Sequence, residues 1–524
     1  MSSQEAVARA GAREWIGLAV LALPTLLVSL DMFVMLLALP HLSRDLHANS
    51  VQQLWILDVY GFMVAGFMIT LGTLGDRVGR RRLLLVGAVV FGVASLVAAW
   101  SGSAPMLIAA RALLGLAGAA ITPATLSLIT QMFRDPRQKA SAIGIWAGCF
   151  TVGALIGPIV GGAMLERFWW GSVFLLGTPA MVLLLAVGPF LLPEYRDPNA
   201  GRLDLASIAL SLAAVLPAIQ GLKSLARDGW QVAPALLLVV GLAFGVVFVR
   251  RQRRLADPLL DVRLFASRTF SATVGGMLAY STLSGGTMVL VAQYFQLVDG
   301  LSPLRAGLAL APGMLASVVS FQVAPLLVRR VRPATLIAGG MLVTVAGLLI
   351  MTRSATSGSA VLIVGFLVSC LGTGPLVTLG TGLIVGAAPP ERAGSAAAIG
   401  QTSSEFGYAL GVAVLGSVLT VVYRARIPAD APAAARDSIA GATGAAHDLP
   451  GRAGAALLSA ADRAFVSGLH TAAALSAALL FAVAVLLAVV LRHLPPLGRP
   501  HPEAVPAAPA DPAPAASEPL KIVR

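Results

Sequence analysis

The chain has 524 residues, of which 57% are hydrophobic and only 12% are charged, and its mean hydropathy is +0.85. Soluble globular proteins carry about 25% charged residues, so this composition excludes an ordinary soluble domain and indicates an integral membrane protein with many spans. The net charge of +13 does not indicate a nucleic-acid-binding protein, because the basic residues lie in short loops and not on one face.

Apolar stretches of spanning length recur along the whole chain, and fourteen transmembrane helices are predicted. They lie at 15–38, 52–74, 83–100, 105–131, 141–164, 172–192, 204–222, 233–250, 270–295, 305–328, 334–352, 360–386, 394–422 and 467–492. The order indicates an all-α membrane protein with two six-helix bundles joined by an inserted helix pair. The predicted domains are 1–200, the inserted pair with its linker at 201–268, the second bundle at 269–493, and a disordered cytoplasmic tail at 494–524, which is rich in Pro and Ala.

Basic residues in the loops predict the orientation, because loops that remain in the cytoplasm carry an excess of Lys and Arg. The run from Arg77 to Arg82 follows the second span, and further basic clusters follow the fourth, eighth and tenth spans. The short loops on the other side hold fewer, namely Arg44, Arg167, Lys223, Arg227, Arg305 and Arg353. The sequence therefore predicts a multi-pass protein of a bacterial inner membrane with both termini in the cytoplasm.

The segment 424–466 is too long for a simple outer connection between two spans. Its Ala-rich end, from Ala453 to Phe465, is compatible with a helix that lies over the outer mouth of the bundle. A solvated spacer is equally compatible with the composition, and the sequence leaves the two alternatives open.

Four charged residues lie within predicted spans and away from their terminal residues: Asp31, Asp58, Arg111 and Glu405. A charge at membrane depth costs about 2.5–3.5 kcal/mol or more, so such residues usually face a cavity or a partner. All other basic residues are assigned to loops and tails, and the four charges together leave an excess of negative charge. This excess favours a cation, or protons when the cation is absent.

Each of the four also has a purely structural interpretation. Asp31 and Arg111 can pair and hold helices together, and a lone guanidinium in a membrane would be costly. Asp58 lies close to the predicted outer surface, where a structural role and a functional role are equally compatible with the sequence. Glu405 has no evident basic partner in its own half of the chain, and desolvation there favours a protonated carboxyl, which suits a proton carrier.

The loop Gly72 to Arg82, with the sequence GTLGDRVGRRR, resembles the loop between helices two and three of the major facilitator superfamily. That pattern has the form G-x-L-x-D-R-x-G-R-[KR], which an ordinary basic loop does not require. The resemblance implies a conformational latch formed by these residues: Gly72, Asp76, Arg77, Gly79, Arg80 and Arg81.

Four further stretches resemble the fourteen-helix drug:proton antiporters of this superfamily, and they occur in the expected order. They are Leu30-Asp31 with Ala38-Leu39-Pro40 in helix one, Trp55 with Tyr60 in helix two, Arg111 with Gly115 in helix four, and the antiporter motif of helix five. That motif comprises Gly153, Gly157, Pro158, Gly161 and Gly162. Its small residues permit close helix contacts, and its proline can bend the helix.

Glu405 stands beside Gly407 and Gly411 in helix thirteen, a combination that resembles the quaternary-ammonium and methyl viologen exporters of this branch. The resemblance implies a proton-coupled multidrug efflux antiporter that exports monocationic or dicationic lipophilic compounds by alternating access and works as a monomer. Its partners would be such cations and membrane lipid. Apolar or aromatic side chains that could line its cavity are Met35, Phe62, Trp146, Tyr280 and Tyr408.

Two alternatives remain: a dedicated exporter of an endogenous metabolite or antibiotic, and a non-transporting sensor or scaffold, against which the intact motif of helix five argues. An enzyme is not predicted, because no P-loop of the form G-x-x-x-x-G-K-[ST] is present. No cofactor or metal is predicted, and the proton gradient is the expected energy source. Cys149 and Cys370 lie in apolar runs and are interpreted as buried small side chains.

Overall fold

The structure is a computed structural model, and it describes residues 10–133, 135–194, 204–255, 258, 262–328, 330–356, 359–388 and 393–494. The predicted tail at 494–524, except its first residue, and the linker residues 195–203 lie outside the described residues. The first bundle comprises α1 Ala12–Asp45, α2 Ser50–Val78, α3 Arg80–Ala99, α4 Ala104–Met132, α5 Pro136–Arg167, a 3₁₀ helix Trp170–Gly177 and α6 Thr178–Leu191.

The inserted pair comprises α7 Leu205–Asp228 and α8 Val232–Gln252. A short 3₁₀ helix at Val262–Ala266 precedes the second bundle. That bundle comprises α9 Arg268–Gln293 with a π-turn Tyr294–Val298, α10 Pro303–Leu327, α11 Pro333–Met351, α12 Ala360–Leu371, α13 Gly374–Gly386, α14 Ala393–Arg426, α15 Ala433–Asp437, α16 Ile439–His447 and α17 Gly451–Val490.

Among the described residues, thirteen helical segments are long and apolar enough to cross a membrane. The fifth predicted span, 141–164, lies within α5, which has 32 residues and several side chains outside the described set. The all-helical prediction is therefore confirmed, and the helix order is compatible with the fourteen predicted passes. One predicted span, 360–386, is divided by a short break between α12 and α13.

The surface of the bundle is apolar, as a lipid-facing surface must be. Side chains such as Val86, Val93, Val239 and Leu242 are 56–60% exposed on α3 and α8, whereas the charged side chains of Asp58 and Arg111 are buried. Helices satisfy their backbone hydrogen bonds internally, so their sides can contact lipid without an energetic penalty.

The two ends of the bundle are easily distinguished. We call the end that carries Gly79 and Arg81 the basic face, and the end that carries α15 and α16 the hairpin face. Exposed indole rings of Trp100, Trp169 and Trp230 lie at helix ends on the hairpin face. Tryptophan is enriched at membrane–water interfaces, so these rings indicate the level of one bilayer surface.

The connection between α2 and α3 consists of Gly79 alone, with φ of +118°. L-residues with a side chain rarely adopt this backbone conformation, and a Cβ atom here would also clash with the Glu194 carboxylate. Glycine at this position of the loop motif is therefore required by the abrupt turn between two long helices.

The inserted pair is a tightly packed hairpin. A Cβ atom at Gly221 of α7 would lie 2.5 Å from the carbonyl oxygen of Pro234 in α8, which shows how closely the two backbones approach. At its basic-face end, Asp204 accepts hydrogen bonds from Ser207 and from Arg251 of α8. Burial opposes the ionised Asp204 carboxyl, but these bonds outweigh it and hold its pKa below the usual value.

The segment 424–466 is largely helical, and the helical alternative for Ala453 to Phe465 is the one observed. These residues do not form a separate helix over the mouth, because they belong to α17, which runs unbroken from Gly451 to Val490. At 1.5 Å per residue, its 40 residues extend ~60 Å, about twice the hydrocarbon thickness of a bilayer. The last helix therefore protrudes beyond the span at the hairpin face, where α15 and α16 pack beside it.

Candidate functional site: a charged cluster between two helical bundles

Asp31 of α1 and Arg111 of α4 form a buried ion pair in the first bundle. Arg111 Nη1 donates to Asp31 Oδ2 at 2.6 Å, and the two side chains are 1% and 11% exposed, respectively. Arg111 Nε also donates to the carbonyl oxygen of Ile56 in α2 at 3.1 Å, and its guanidinium lies 4.9 Å from the centre of the Tyr60 ring. Three helices therefore converge on Arg111, and its charge is compensated.

Asp58 of α2 has a partner that the sequence analysis placed elsewhere. Lys223 was assigned to an outer loop, and this assignment is wrong: the residue lies in α7, and its side chain is 0% exposed. Its Nζ atom lies 2.7 Å from Asp58 Oδ2, whose side chain is also 0% exposed. The ammonium group further lies 4.0 Å from the centre of the Trp55 ring.

The excess of negative charge inferred from the four residues must be corrected accordingly. Lys223 adds a fifth intramembrane charge and neutralises Asp58. The prediction that Arg111 is the single basic residue inside the spans is therefore wrong. Helix α7 extends six residues beyond the predicted end at 222, and Lys223 lies within this extension. The remaining net charge of this set is one negative charge, on Glu405.

Glu405 lies on α14 of the second bundle and is half-buried. Gln401, one turn earlier, donates from Nε2 to Glu405 Oε1 at 3.0 Å, and in the described part of the chain no basic side chain forms an ion pair with Glu405. A Cβ atom at Gly61 of α2 would lie 3.7 Å from the Glu405 carbonyl oxygen. Glu405 therefore lies where α14 packs against α2, the helix that carries Tyr60 of the charged cluster.

The two bundles meet along two seams, α5 against α10 and α2 against α14. At the hairpin-face end of the first seam, a Cβ atom at Gly162 would lie 2.5 Å from the carbonyl oxygen of Pro303, and one at Gly307 would clash with the Pro158 carbonyl. In the second seam, a Cβ atom at Gly61 would lie 3.0 Å from Ala409 Cβ. Both seams are in close contact here.

Toward the basic face both seams separate. Gly144 precedes Gly162 by eighteen residues, so it lies on the same side of α5, ~27 Å away. A Cβ atom at Gly144 would meet no described atom within 4 Å. Gly72 follows Gly61 on the same side of α2 by eleven residues, and its Cβ atom would approach only Pro123 of α4, at 4.0 Å. The described structure is thus closed at the hairpin face and open at the basic face.

The glycine-rich motif of helix five provides these close contacts. A Cβ atom at Gly153 would lie 2.5 Å from the Leu26 carbonyl oxygen, and one at Gly161 would lie 2.6 Å from Val34, both in α1. Gly157 and Pro158 are buried in the same helix. The motif therefore joins α5 to its own bundle on one side and, through Pro158 and Gly162, to the second bundle on another.

The loop motif at the basic face contacts the end of α6. Arg81 Nη1 donates to the carbonyl oxygens of Pro189 and Leu192, each at 3.0 Å, and Arg81 and Arg82 lie 3.5 and 3.7 Å from the Glu194 carboxylate. A guanidinium is favourable beside the unpaired carbonyls of a helix C-terminus. The Asp76 side chain lies outside the described part of the chain, and Arg77 is exposed.

The predicted cavity-lining side chains occupy different environments. Met35, Phe62 and Tyr280 are 1%, 2% and 4% exposed and belong to packed regions, whereas Trp146 and Tyr408 are half-buried. Trp146 donates from Nε1 to Thr125 Oγ1 at 3.2 Å. Only these last two are therefore partly accessible in this conformation.

Phe62 belongs to a cluster at the second seam that the sequence did not reveal. It packs with Phe406 of α14, at 5.8 Å between ring centres, and with Trp55, at 6.2 Å. Ile219 of the inserted helix α7 completes this group. We call Trp55, Phe62, Ile219 and Phe406 the seam cluster, in which α7 covers the joint between α2 and α14.

The sequence also gave no indication of a carboxylate that ties three helices at the hairpin face. Asp437, at the end of α15, accepts hydrogen bonds from the Ser50 amide at 2.9 Å and from the Arg227 Nε atom at 2.9 Å. Arg424 lies 3.8 Å away. Asp437 thereby joins the hairpin-face ends of α2 and α14, which belong to different bundles, and the end of α7.

We expect Asp437→Asn to weaken closure at the hairpin face, because an amide lacks the charge and one of the acceptor oxygens. Charge-assisted hydrogen bonds contribute about 1.5–3 kcal/mol, so the population open at this face should rise about tenfold or more. Distances between spin labels at positions 45 and 429 would report it. Asp448→Asn, on an exposed acid of the same segment, is the control, and an equal change in both variants would contradict the role of Asp437.

Three comparisons with known proteins agree with this architecture. The family model described as Major Facilitator Superfamily matches residues 21–412. The multidrug efflux pump LfrA of Mycolicibacterium smegmatis is 41% identical over 93% of this chain and 98% of that protein. The methyl viologen resistance protein SmvA of Salmonella typhimurium is 35% identical over 87% and 93%, and the tetracenomycin C resistance and export protein of Streptomyces glaucescens is 33% identical over 88% of each chain.

Among solved structures, a bacterial homologue of the human lysosomal transporter Spinster, in an inward-facing and unoccupied conformation, has a TM-score of 0.67 at 17% identity. The similarity covers 92% of this chain and 97% of that one. At this level of identity, the comparison establishes the fold alone.

Proposed function

The chain belongs to the Major Facilitator Superfamily, and on this premise we propose that it is a proton-coupled antiporter that exports lipophilic cations by alternating access. One observation carries the proposal. Glu405 is a half-buried carboxylate that forms no ion pair with a basic side chain of the described residues. It lies where α14 packs against α2 of the first bundle, between seams that are closed at one face and open at the other.

The similar proteins support this class of substrate. The names of two relatives describe multidrug efflux and methyl viologen resistance, and the alignments extend over nearly the whole of both chains. A carboxylate with aromatic neighbours is suited to a lipophilic cation, since it supplies opposite charge and the rings supply apolar and cation–π contact.

The proposed cycle begins in the conformation described here, with the basic face toward the cytoplasm. A cation enters from that face and binds beside ionised Glu405. The bundles then close at the basic face and open at the hairpin face, where a proton from outside neutralises Glu405 and releases the cation. The substrate drives this exchange only through its different affinity for the two conformations.

The remaining residues have positioning roles in this proposal. The Asp31–Arg111 pair and Tyr60 set the field around Glu405, which takes up and releases the proton. The motif at Gly72 to Arg82, with Asp76, acts as the latch of the basic face, in which ion pairs and the end of α6 favour one orientation. The protein acts as a monomer in the bacterial inner membrane with both termini in the cytoplasm, and it uses the proton gradient and no cofactor.

Purified protein in liposomes tests the proposal. We expect an imposed proton gradient to drive ethidium or tetraphenylphosphonium against its concentration gradient, and a protonophore to abolish this movement. Protein-free liposomes are the control for passive diffusion of the dyes. Gradient-independent movement of every cation tested would overturn the proposal.

The similarity to the tetracenomycin C exporter favours one alternative, a dedicated exporter of a neutral or anionic metabolite. Competition separates the two possibilities. Under our proposal, the protein moves ethidium and excess tetraphenylphosphonium inhibits this movement, whereas the alternative predicts export of a neutral or anionic compound that tetraphenylphosphonium does not inhibit.

A further inference from the structure

The inserted helix α7 carries a cationic side chain, Lys223, into the joint between α2 and α14, where the two bundles meet. Lys223 Nζ contacts Asp58 Oδ2 at 2.7 Å and lies over the Trp55 ring at 4.0 Å. A carboxylate and an indole face are the two groups that would recognise a lipophilic cation. In this chain, a side chain of the protein itself occupies that position.

The lysine is held firmly in place. Gln220, one turn before Lys223, accepts a hydrogen bond from Trp55 Nε1 and donates from Nε2 to Ser224 Oγ at 3.1 Å. Ile219 of the same turn packs in the seam cluster. Beyond their mutual contact, neither Asp58 nor Lys223 makes a hydrogen bond to another described side chain, so the two charges compensate each other.

The intramembrane charges on the helices that pack against α2 can be counted by element. Helix α7 contributes Lys223, which contacts Asp58, and helices α1 and α4 contribute Asp31 and Arg111, which pair with each other. Helix α14 contributes Glu405, whose carbonyl oxygen would lie 3.7 Å from a Cβ atom at Gly61 of α2. Two neutral pairs and one unpaired carboxylate result.

We propose that Lys223 determines charge specificity: it neutralises Asp58 and leaves Glu405 as the single exchangeable negative charge, so the protein prefers monovalent over divalent lipophilic cations. This inference rests on the proposed export of cations and narrows its substrate class. A second unpaired carboxylate within ~10 Å would favour the second charge of a dication by more than tenfold at an effective dielectric constant of about 20.

Lys223→Met tests the inference, since methionine has a similar length and shape without the charge. In Lys223→Met, we expect the ratio of methyl viologen export to tetraphenylphosphonium export to be at least ~10-fold higher than in the wild type. The double variant Lys223→Met/Asp58→Asn, which replaces the ion pair by a neutral pair, should return to the wild-type ratio. An unchanged ratio in Lys223→Met, or a gain that persists in the double variant, would overturn the inference.

A second measurement does not depend on transport. Infrared difference spectra of the detergent-solubilised protein during a pH titration report each carboxyl that takes up a proton. We expect one more titrating carboxyl in Lys223→Met than in the wild type, and its loss in the double variant. If the wild type moves no cation, the proposed function fails, but this titration still decides whether Lys223 neutralises Asp58. An equal number of titrating carboxyls in the wild type and in Lys223→Met would show that Lys223 does not neutralise Asp58.

Discussion

Glu405→Gln is expected to abolish proton-driven export of lipophilic cations while the protein remains folded and inserted. Glutamine has the same size and can still bond to Gln401, which contacts Glu405 at 3.0 Å, so the packing of α14 is retained. What is lost is the negative charge. A cation–carboxylate contact at 4 Å provides about 4 kcal/mol at an effective dielectric constant of about 20, so export should fall at least ~100-fold.

The measurement is ethidium export from liposomes under an imposed proton gradient. Glu166→Gln provides the matched control, because Glu166 is an exposed carboxylate at the hairpin-face end of α5. Export of the control variant should equal that of the wild type. Normal export by Glu405→Gln would remove Glu405 from the mechanism and require another proton acceptor.

Gly307→Val is expected to prevent closure at the hairpin face and to stop transport. A Cβ atom at Gly307 would clash with the Pro158 carbonyl group, and a backbone group of a packed helix cannot easily move aside. Overpacking typically costs 1–3 kcal/mol, and ~3 kcal/mol would lower the population of the conformation described here by about a hundredfold. The protein should therefore remain open at the hairpin face.

Spin labels at positions 167 and 305, both exposed at the ends of α5 and α10, measure this opening. Their separation should lengthen in Gly307→Val, and export should be lost in the same preparation. Gly339→Val is the control, because a Cβ atom at Gly339 of α11 would meet no described atom within 4 Å. A wild-type distance distribution in Gly307→Val would show that the glycine contact does not control closure.

The contrast between Asp58 and Glu405 shows where sequence reasoning succeeds and fails. Both acids were identified as intramembrane charges because each interrupts a long apolar run. The partner of Asp58 was missed because Lys223 stands five residues before the end of α7, beside Arg227 and Asp228, where hydropathy alone predicts a loop. Lys223 is buried because it contacts Asp58 of α2, which lies 165 residues earlier in the chain.

The pairing of Asp31 with Arg111 was one of two interpretations of those residues, and the structure shows the two side chains in contact at 2.6 Å. Asp437 could not have been found from its own segment. Its neighbours in sequence are ordinary polar and small residues, and its importance comes from Ser50, Arg227 and Arg424, which three different helices bring to it.

The sequence alone determined that this chain is a bundle of membrane helices, since hydropathy is a local property. Together with family patterns, it identified the motif at Gly153 to Gly162. Only the tertiary structure decided which charges compensate one another, that α7 covers the seam between the bundles, and which face is open. Charge pairing and closure depend on distances between remote helices, and these distances follow from packing and not from any local pattern.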